Sequence, residues 1–150
     1  MIKLKRTDSD DKDFNLLVNY LDDELTMVDG DDHVFYSQFN KTDKIHHVVV
    51  AYFYDIPAGC GALKEYREGT MEVKRMYVFP HSRNKGLATL VLKELEKWAV
   101  ELKCQRIILE TGKRQPDAVR LYEKNGYKRI PNYDQYEGVE NSLCFAKDLE

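Results

Sequence analysis

Met71-Glu-Val-Lys-Arg-Met-Tyr-Val-Phe79-Pro80-His-Ser-Arg83-Asn-Lys-Gly86-Leu-Ala88 changes its period midway. Up to Phe79 the residues alternate, the period of a strand, and Pro80 ends it because proline cannot donate to a sheet ladder. From Leu87 the period becomes helical: Leu87, Val91, Leu95, Trp98 and Leu102 form an apolar stripe backed by Lys93, Glu94, Glu96, Lys97 and Glu101. Arg106 to Glu110 then carries Ile107-Ile-Leu109, an unbroken apolar run typical of a strand covered on both faces. Strand, long helix and covered strand make a crossover unit. The strands at 71–79 and 106–110 are therefore expected to lie parallel, with a right-handed connection.

Toward the N-terminus, the β-branched and aromatic run His46 to Tyr54, a turn at Ile56-Pro-Ala-Gly and an extended stretch from Cys60 to Tyr66 predict a hairpin. Arg67-Glu-Gly69 links that hairpin to the strand at 71–79 as a third member of one meander. Ile2-Lys-Leu-Lys-Arg alternates as a first strand, and Phe14, Leu17, Val18, Leu21 and Leu25 place a helix after Asp11. A short second helix is expected over Val34 to Phe39. Toward the C-terminus, Pro116 at a first helical position and Gly126 just past the end frame a helix from Asp117 to Asn125. Tyr127 to Ile130 and Ser142 to Lys147 read as closing strands, joined by the loop Pro131 to Asn141. The expected fold is α/β: a mixed sheet with antiparallel N-terminal strands and a parallel central pair joined by a crossover helix, in one domain over residues 1–150.

Composition narrows the function classes. Apolar residues at 43%, charged residues at 33% and a net charge of -3 describe a globular chain. The longest apolar stretch, Val48 to Tyr54, is far short of the ~20 residues that cross a bilayer, so no membrane span is expected. Met1-Ile-Lys-Leu-Lys-Arg runs into Asp8, Asp10 and Asp11 without an apolar core, so no secretory signal is expected either, and the reading places the protein in the cytoplasm. Balanced charge argues against nucleic acid as a partner. Cys60, Cys104 and Cys144 match neither a disulfide framework nor a metal pair, and His46 and His47, adjacent on a strand, point to opposite faces, so no metal is implied. His81 reads as exposed. The acidic run Asp22, Asp23, Glu24, Asp29, Asp31 and Asp32 hints at a cationic substrate, or only at a solvated helix end.

The loop from Pro80 to Ala88 opens a helix directly after a strand. The first N–H groups of a helix lack internal acceptors and carry the positive end of its dipole, so such a loop can hold a diphosphate, with Arg83 and Lys85 adding charge. Other phosphate loops fail: there is no G-x-x-x-x-G-K-[ST], and Gly59-Cys-Gly61 leads into a strand.

Arg83-x-x-Gly86-x-Ala88 resembles the [QR]-x-x-G-x-[GA] signature of the GNAT superfamily of acetyl-CoA-dependent N-acetyltransferases. Ala118-x-x-Leu121-Tyr122-x-Lys124-x-Gly126-Tyr127 resembles that family's second signature. The resemblance covers nearly the whole chain, with residues 26–45 least constrained. It implies a V-shaped opening between the parallel strands, where the pantetheine arm of acetyl-CoA, a co-substrate, would lie. Cofactor contacts carried over by it are the main chain of Met76, Tyr77 and Val78, the loop Arg83, Asn84, Lys85, Gly86, Leu87, Ala88 and Thr89, then Gln115, which stands where many members have Asn, and Lys124 near a phosphate.

The resemblance also implies acetyl transfer to a primary amine, small molecule or peptide, by direct attack in a ternary complex. An alkylammonium titrates near ~10.4, so a base must take its proton, and the departing thiolate, near ~8.5, benefits from an acid. Tyr122 occupies the family's tyrosine acid position. Glu72, 14 positions before Gly86, stands where several lysine-acetylating members place a glutamate base, and strict alternation puts it on one face with Lys74, Met76 and Val78. Two other readings stay open: Glu72 as a solvated carboxylate paired with Lys74 or Arg75, and Glu110 on the neighbouring strand as the base. Tyr133, Tyr136 and the loop Pro131 to Asn141 would form the opposite wall. A catalytically inactive acyl-CoA-binding regulatory or interaction module of the same fold is the alternative function, and a homodimer stays open.

Overall fold

The computed structural model describes residues 1–32, 35–36 and 44–149. Its strands are Ile2–Thr7 (β1), His47–Phe53 (β2), Ile56–Arg67 (β3), Thr70–Val78 (β4), Arg106–Gly112 (β5), Lys128–Ile130 (β6) and Ser142–Asp148 (β7). Its helices are Lys12–Asp29 (α1), Leu87–Glu101 (α2) and Pro116–Lys124 (α3). The helix expected over Val34 to Phe39 lies outside the described residues except for Phe35 and Tyr36, which are helical. No helix among the described residues is long and apolar enough to cross a membrane.

One seven-stranded sheet runs in the order β1-β2-β3-β4-β5-β7-β6. Every pair is antiparallel except β4 and β5, which α2 joins as a crossover. That parallel pair is short: only Thr70–Arg106, Met71–Ile107 and Glu72–Ile108 stand in register. Beyond Glu72 the strands part, leaving the edge of β4 that faces β5 without a strand partner among the described residues. This is the V-shaped opening.

Helices cover both faces. On one, α2 lays Leu87, Val91, Leu92, Leu95 and Ala99 against Val49, Leu63, Val73, Ile107, Leu109 and Phe145, a single cluster that also holds Tyr122. Leu102, expected in the stripe, is 39% exposed, because the helix ends at Glu101 and Lys103 turns the chain at φ 68. On the other face α1 packs Phe14, Leu17, Val18 and Leu21 against Val48, Val50, Cys60, Ala62 and Tyr77. A separate cluster of Tyr36, Tyr136 and Cys144 sits over β7. Asp11 caps α1, its carboxylate accepting from the Asp13 and Phe14 N–H groups.

Two details differ from the alternating pattern. The β2–β3 hairpin turns at Tyr54-Asp55, with φ 50 and 65, and Ile56-Pro57 already belongs to β3. Two positive φ values give the primed two-residue turn that matches strand twist, so the connection forms without glycine. The second is a bulge in β4: Cys60 faces Tyr77 while Ala62 faces Lys74, so Arg75 and Met76 together oppose Gly61, and Arg75 sits at φ 58. The extra residue flips the phase. Glu72 and Lys74 share the α1 face with Tyr77, whereas Met76 and Val78 join the α2 cluster, so Glu72 does not share a face with Met76 and Val78.

Gly61 makes this crossing possible. A Cβ there would collide with Met76 Sδ and lie 2.9 Å from Val91 and 3.0 Å from Leu95. Overpacking of a closed core costs about 1–3 kcal/mol, so Gly61→Ala is expected to lower the melting temperature by roughly 3–10 °C. A thermal scan that left the midpoint unchanged would show that the crossing has slack.

Candidate active site

The parting of β4 from β5 opens a cleft of about 730 Å³. Its walls are β4 from Glu72 to Val78, the loop entering α2, the end of β5, α3 and the cleft-facing side of α1. Of the residues nominated from sequence, Glu72, Met76, Tyr77, Val78, Arg83, Asn84, Gly86, Leu87, Ala88, Thr89, Gln115, Tyr122 and Lys124 line it, as does Glu110. Lys85 does not: its ammonium lies 3.4 Å from the His81 carbonyl and 5.7 Å from the Phe53 ring.

The loop is a tight one. Ser82 N–H bonds to the Phe79 carbonyl at 2.8 Å, and Asn84 and Gly86 adopt φ 66 and 79 before the chain enters α2. No side chain caps α2, so its first N–H groups open on the cleft, an arrangement suited to an anion. Arg83 is turned elsewhere. Its Nε donates to the Val78 carbonyl at 2.8 Å and its Nη2 to both Glu24 oxygens at 3.1 and 2.9 Å, tying the loop to α1. Gln115 stands at the start of α3, its N–H bonded to the Gly112 carbonyl at 3.0 Å.

Two carboxylates meet at the parting of the strands, in different circumstances. Glu72 is 7% exposed; its Oε2 accepts from the Tyr133 hydroxyl at 2.6 Å and its Oε1 lies 3.7 Å from the Lys74 ammonium. Glu110 Oε2 is shut off from solvent and has no hydrogen-bond partner among the described residues. Burial pushes the Glu110 carboxyl up to about 7, a rise that Asp29 and Glu72 reinforce and Ser142 and Lys74 oppose. Tyr122 is 5% exposed, its ring against Tyr127 and Phe145, and burial together with the Glu110 charge raises its hydroxyl well above the ordinary 10. It therefore keeps its proton across the physiological range and has a proton to donate rather than a phenolate to act as a base.

Tyr136 lines the cleft, Tyr133 stands edge-on to it and holds Glu72, and Glu24 and Asp29 bring part of the acidic run to the cleft. Asp22 pairs with Arg75 and Asp32 with Arg114. His47 packs edge-on against Trp98 and His81 stacks on Phe79. Burial pushes Cys60 up to about 12 and Cys144 up to about 11, so both remain thiols. Sequence reasoning did not nominate Tyr36, Lys74, Arg75 or Arg114 for the cleft. No local signal marks them, because each reaches the site through tertiary packing or the bulge.

Comparison with known proteins agrees with this geometry. Residues 14–127 match the model of the acetyltransferase (GNAT) family. Over 94 residues the chain is 34% identical to YsnE of Bacillus subtilis (strain 168), an uncharacterized N-acetyltransferase, covering 61% of this chain and 62% of that one. Over 92 residues it is 37% identical to the IAA acetyltransferase of Azospirillum brasilense, covering 61% and 60% respectively. These matches thus span only about three fifths of either relative's length. A Klebsiella pneumoniae protein assigned as an acyl-CoA N-acyltransferase superposes with a TM-score of 0.83 at 27% identity, covering 100% of this chain and 99% of its own. The span matched by the family model runs from α1 to Tyr127 and takes in both walls of the parted strands: the chain belongs to the acetyltransferase (GNAT) family.

Proposed function

We propose that the chain transfers an acyl group, acetyl most readily, from acyl-CoA to a primary amine by direct attack in a ternary complex. The observation that carries this reading is the parting of β4 and β5. It puts an uncapped helix start, an unpaired strand edge, the buried Glu110 carboxyl and the Tyr122 phenol into one cleft. The acyl-CoA thioester supplies an activated carbonyl and a thiolate leaving group. The first N–H groups of α2 would hold its diphosphate, and the free edge of β4 at Met76, Tyr77 and Val78 would pair with the pantetheine amides, one N–H polarising the thioester carbonyl. Gln115 and Lys124 would flank the arm and the phosphates.

Between the two carboxylates, Glu110 is the better base. A group that titrates near neutrality is half ionised at working pH and can take a proton from an ammonium as it loses water contacts, whereas Glu72 already accepts from Tyr133. Glu72 then acts through its charge, which helps hold the Glu110 proton. Tyr122 returns a proton to the departing thiolate. The three cysteines are free and two of them buried, which suits a reducing compartment such as the cytoplasm.

Thiol release from acetyl-CoA across an amine panel tests the reading, and its absence with every amine would favour a binding module. In the active protein Tyr122→Phe keeps the ring and removes the proton donor. Turnover is expected to fall by about 10²–10⁴-fold with acyl-CoA affinity nearly unchanged. Single-turnover rates equal to wild type would assign Tyr122 to packing alone.

A further inference from the structure

Among the described residues Arg75 is the only buried lysine or arginine. Its side chain is 3% exposed, and it lines the cleft at the bulge of β4. Nη2 lies 2.6 Å from Asp22 Oδ1 on α1, a side chain that is itself 51% exposed. Nε and Nη1 are closed off from water and have no hydrogen-bond partner among the described residues. Three of the five N–H bonds of the guanidinium therefore meet no acceptor among the described residues, and arginine cannot escape by losing its proton. A buried charge in this condition is costly unless something pairs it, and the planar fork of arginine is matched best by two oxygens of one carboxylate.

We propose that Arg75 anchors a carboxylate of the acceptor, so that the acceptor is an amino acid or another amine bearing a carboxylate a few bonds from its nitrogen. This rests on the acyl-transfer reading above. Glu72 and Ile108 are the last pair in register; two residues on, Lys74 acts on Glu110 through its charge, and Arg75 is the next residue of β4. Paired strands are about 5 Å apart and these two are parting, so the distance from the base to the anchor suits a short molecule holding amine and acid together. Exchanging Asp22 for a ligand carboxylate turns the guanidinium toward the opening, and the half-exposed Asp22 recovers water when released. A phosphate dianion fits less well, because Asp29, Glu72 and Glu110 line the same cleft.

The test uses acetyl-CoA and amino acids from glycine to lysine, each with its own carboxamide, and reads the acid-to-amide ratio of kcat/KM. The ratio within one protein carries the difference in amine basicity; its change between proteins does not. Arg75→Gln is expected to lower the ratio at least tenfold with the KM for acetyl-CoA unchanged, and Arg75→Lys to fall between. An unchanged ratio in Arg75→Gln overturns the anchor. If that variant does not fold, Asp22→Asn decides: removing the competing carboxylate should raise the ratio, and no change overturns the proposal. Absence of thiol release with every amine defeats the acyl-transfer reading instead. The anchor is then read by calorimetry with the same pairs on protein saturated with coenzyme A. Acid binding that Arg75→Gln abolishes supports it, and equal binding or none overturns it.

Discussion

Glu110→Gln is expected to lower kcat/KM by about 10²–10⁴-fold at neutral pH, a catalytic loss as large as that of Tyr122→Phe. With the carboxyl titrating at about 7, the wild-type rate should fall as pH drops below 7, because the protonated form cannot take a second proton. In the variant only amine already neutral in solution can react, so raising the pH toward the amine's own ~10.4 should restore part of the rate. A variant that was merely misfolded would not recover. Glu72→Gln should act differently: removing a neighbouring negative charge lets Glu110 ionise more easily and moves the acidic limb to lower pH, with a smaller loss at neutrality. A full-size, pH-rescued loss in Glu72→Gln, with Glu110→Gln near wild type, would transfer the role of base to Glu72.

The same substitution should stabilise the fold. The folded protein holds the Glu110 proton more tightly than the unfolded chain does, so stability falls as pH rises from about 4.5 through about 7. Moving a carboxyl that far costs on the order of 3 kcal/mol, and Glu110→Gln removes that cost at pH 8 while changing little at pH 4. Denaturant midpoints at the two pH values read the difference.

Gly86→Glu is expected to abolish acyl-CoA binding. Gly86 holds φ 79 at the entry to α2, and a Cβ built on it meets nothing within 4 Å. Gly86→Ala therefore adds only the cost of a left-handed conformation, about 1 kcal/mol, and should bind acyl-CoA nearly normally. The glutamate adds a carboxylate where the diphosphate would approach the helix N–H groups. Acyl-CoA at about 100 times its Kd should stabilise wild type and Gly86→Ala by about 2.7 kcal/mol, seen as a rise in melting temperature, and leave Gly86→Glu unmoved. Unchanged affinity of the glutamate variant by calorimetry would take the diphosphate away from this loop.

The order of elements was legible because period and punctuation change together at Phe79–Pro80 and Gly86, and because the apolar run Ile107 to Leu109 is typical of a covered strand. What escaped depended on contacts made across the chain. Which face Met76 takes is decided by Gly61, Val91 and Leu95 closing on it, and the resulting bulge at Arg75 has no signature in residues 71–79. The Tyr54-Asp55 turn lacks the glycine that usually marks it. Arg83 was legible as a loop cation but not as the partner of Glu24, which is 59 residues away. Glu110 stood out by position alone. Its raised proton affinity comes from burial, with Asp29 and Glu72 converging on it from two other elements.

The three register pairs joining β4 to β5 divide the chain only once. Before them come β1 to β4 with α1 and α2, all within residues 2–101, and after them everything within residues 106–148. The molecule is a book of two leaves bound along a short spine. On the α2 side one apolar cluster runs across the spine from Val49 to Phe145, while on the α1 side the group around Phe14 and the group around Tyr36 stay separate. The binding is thus a broad apolar seam on one cover and a smaller, partly polar one on the other, where Tyr36 meets Ser142 and Arg114 bonds to the Asp29 carbonyl across the spine. A molecule seated in the cleft touches both leaves and acts as a brace between them, and a change that alters the angle of the leaves shifts Glu110 against β4 without touching any residue of the cleft.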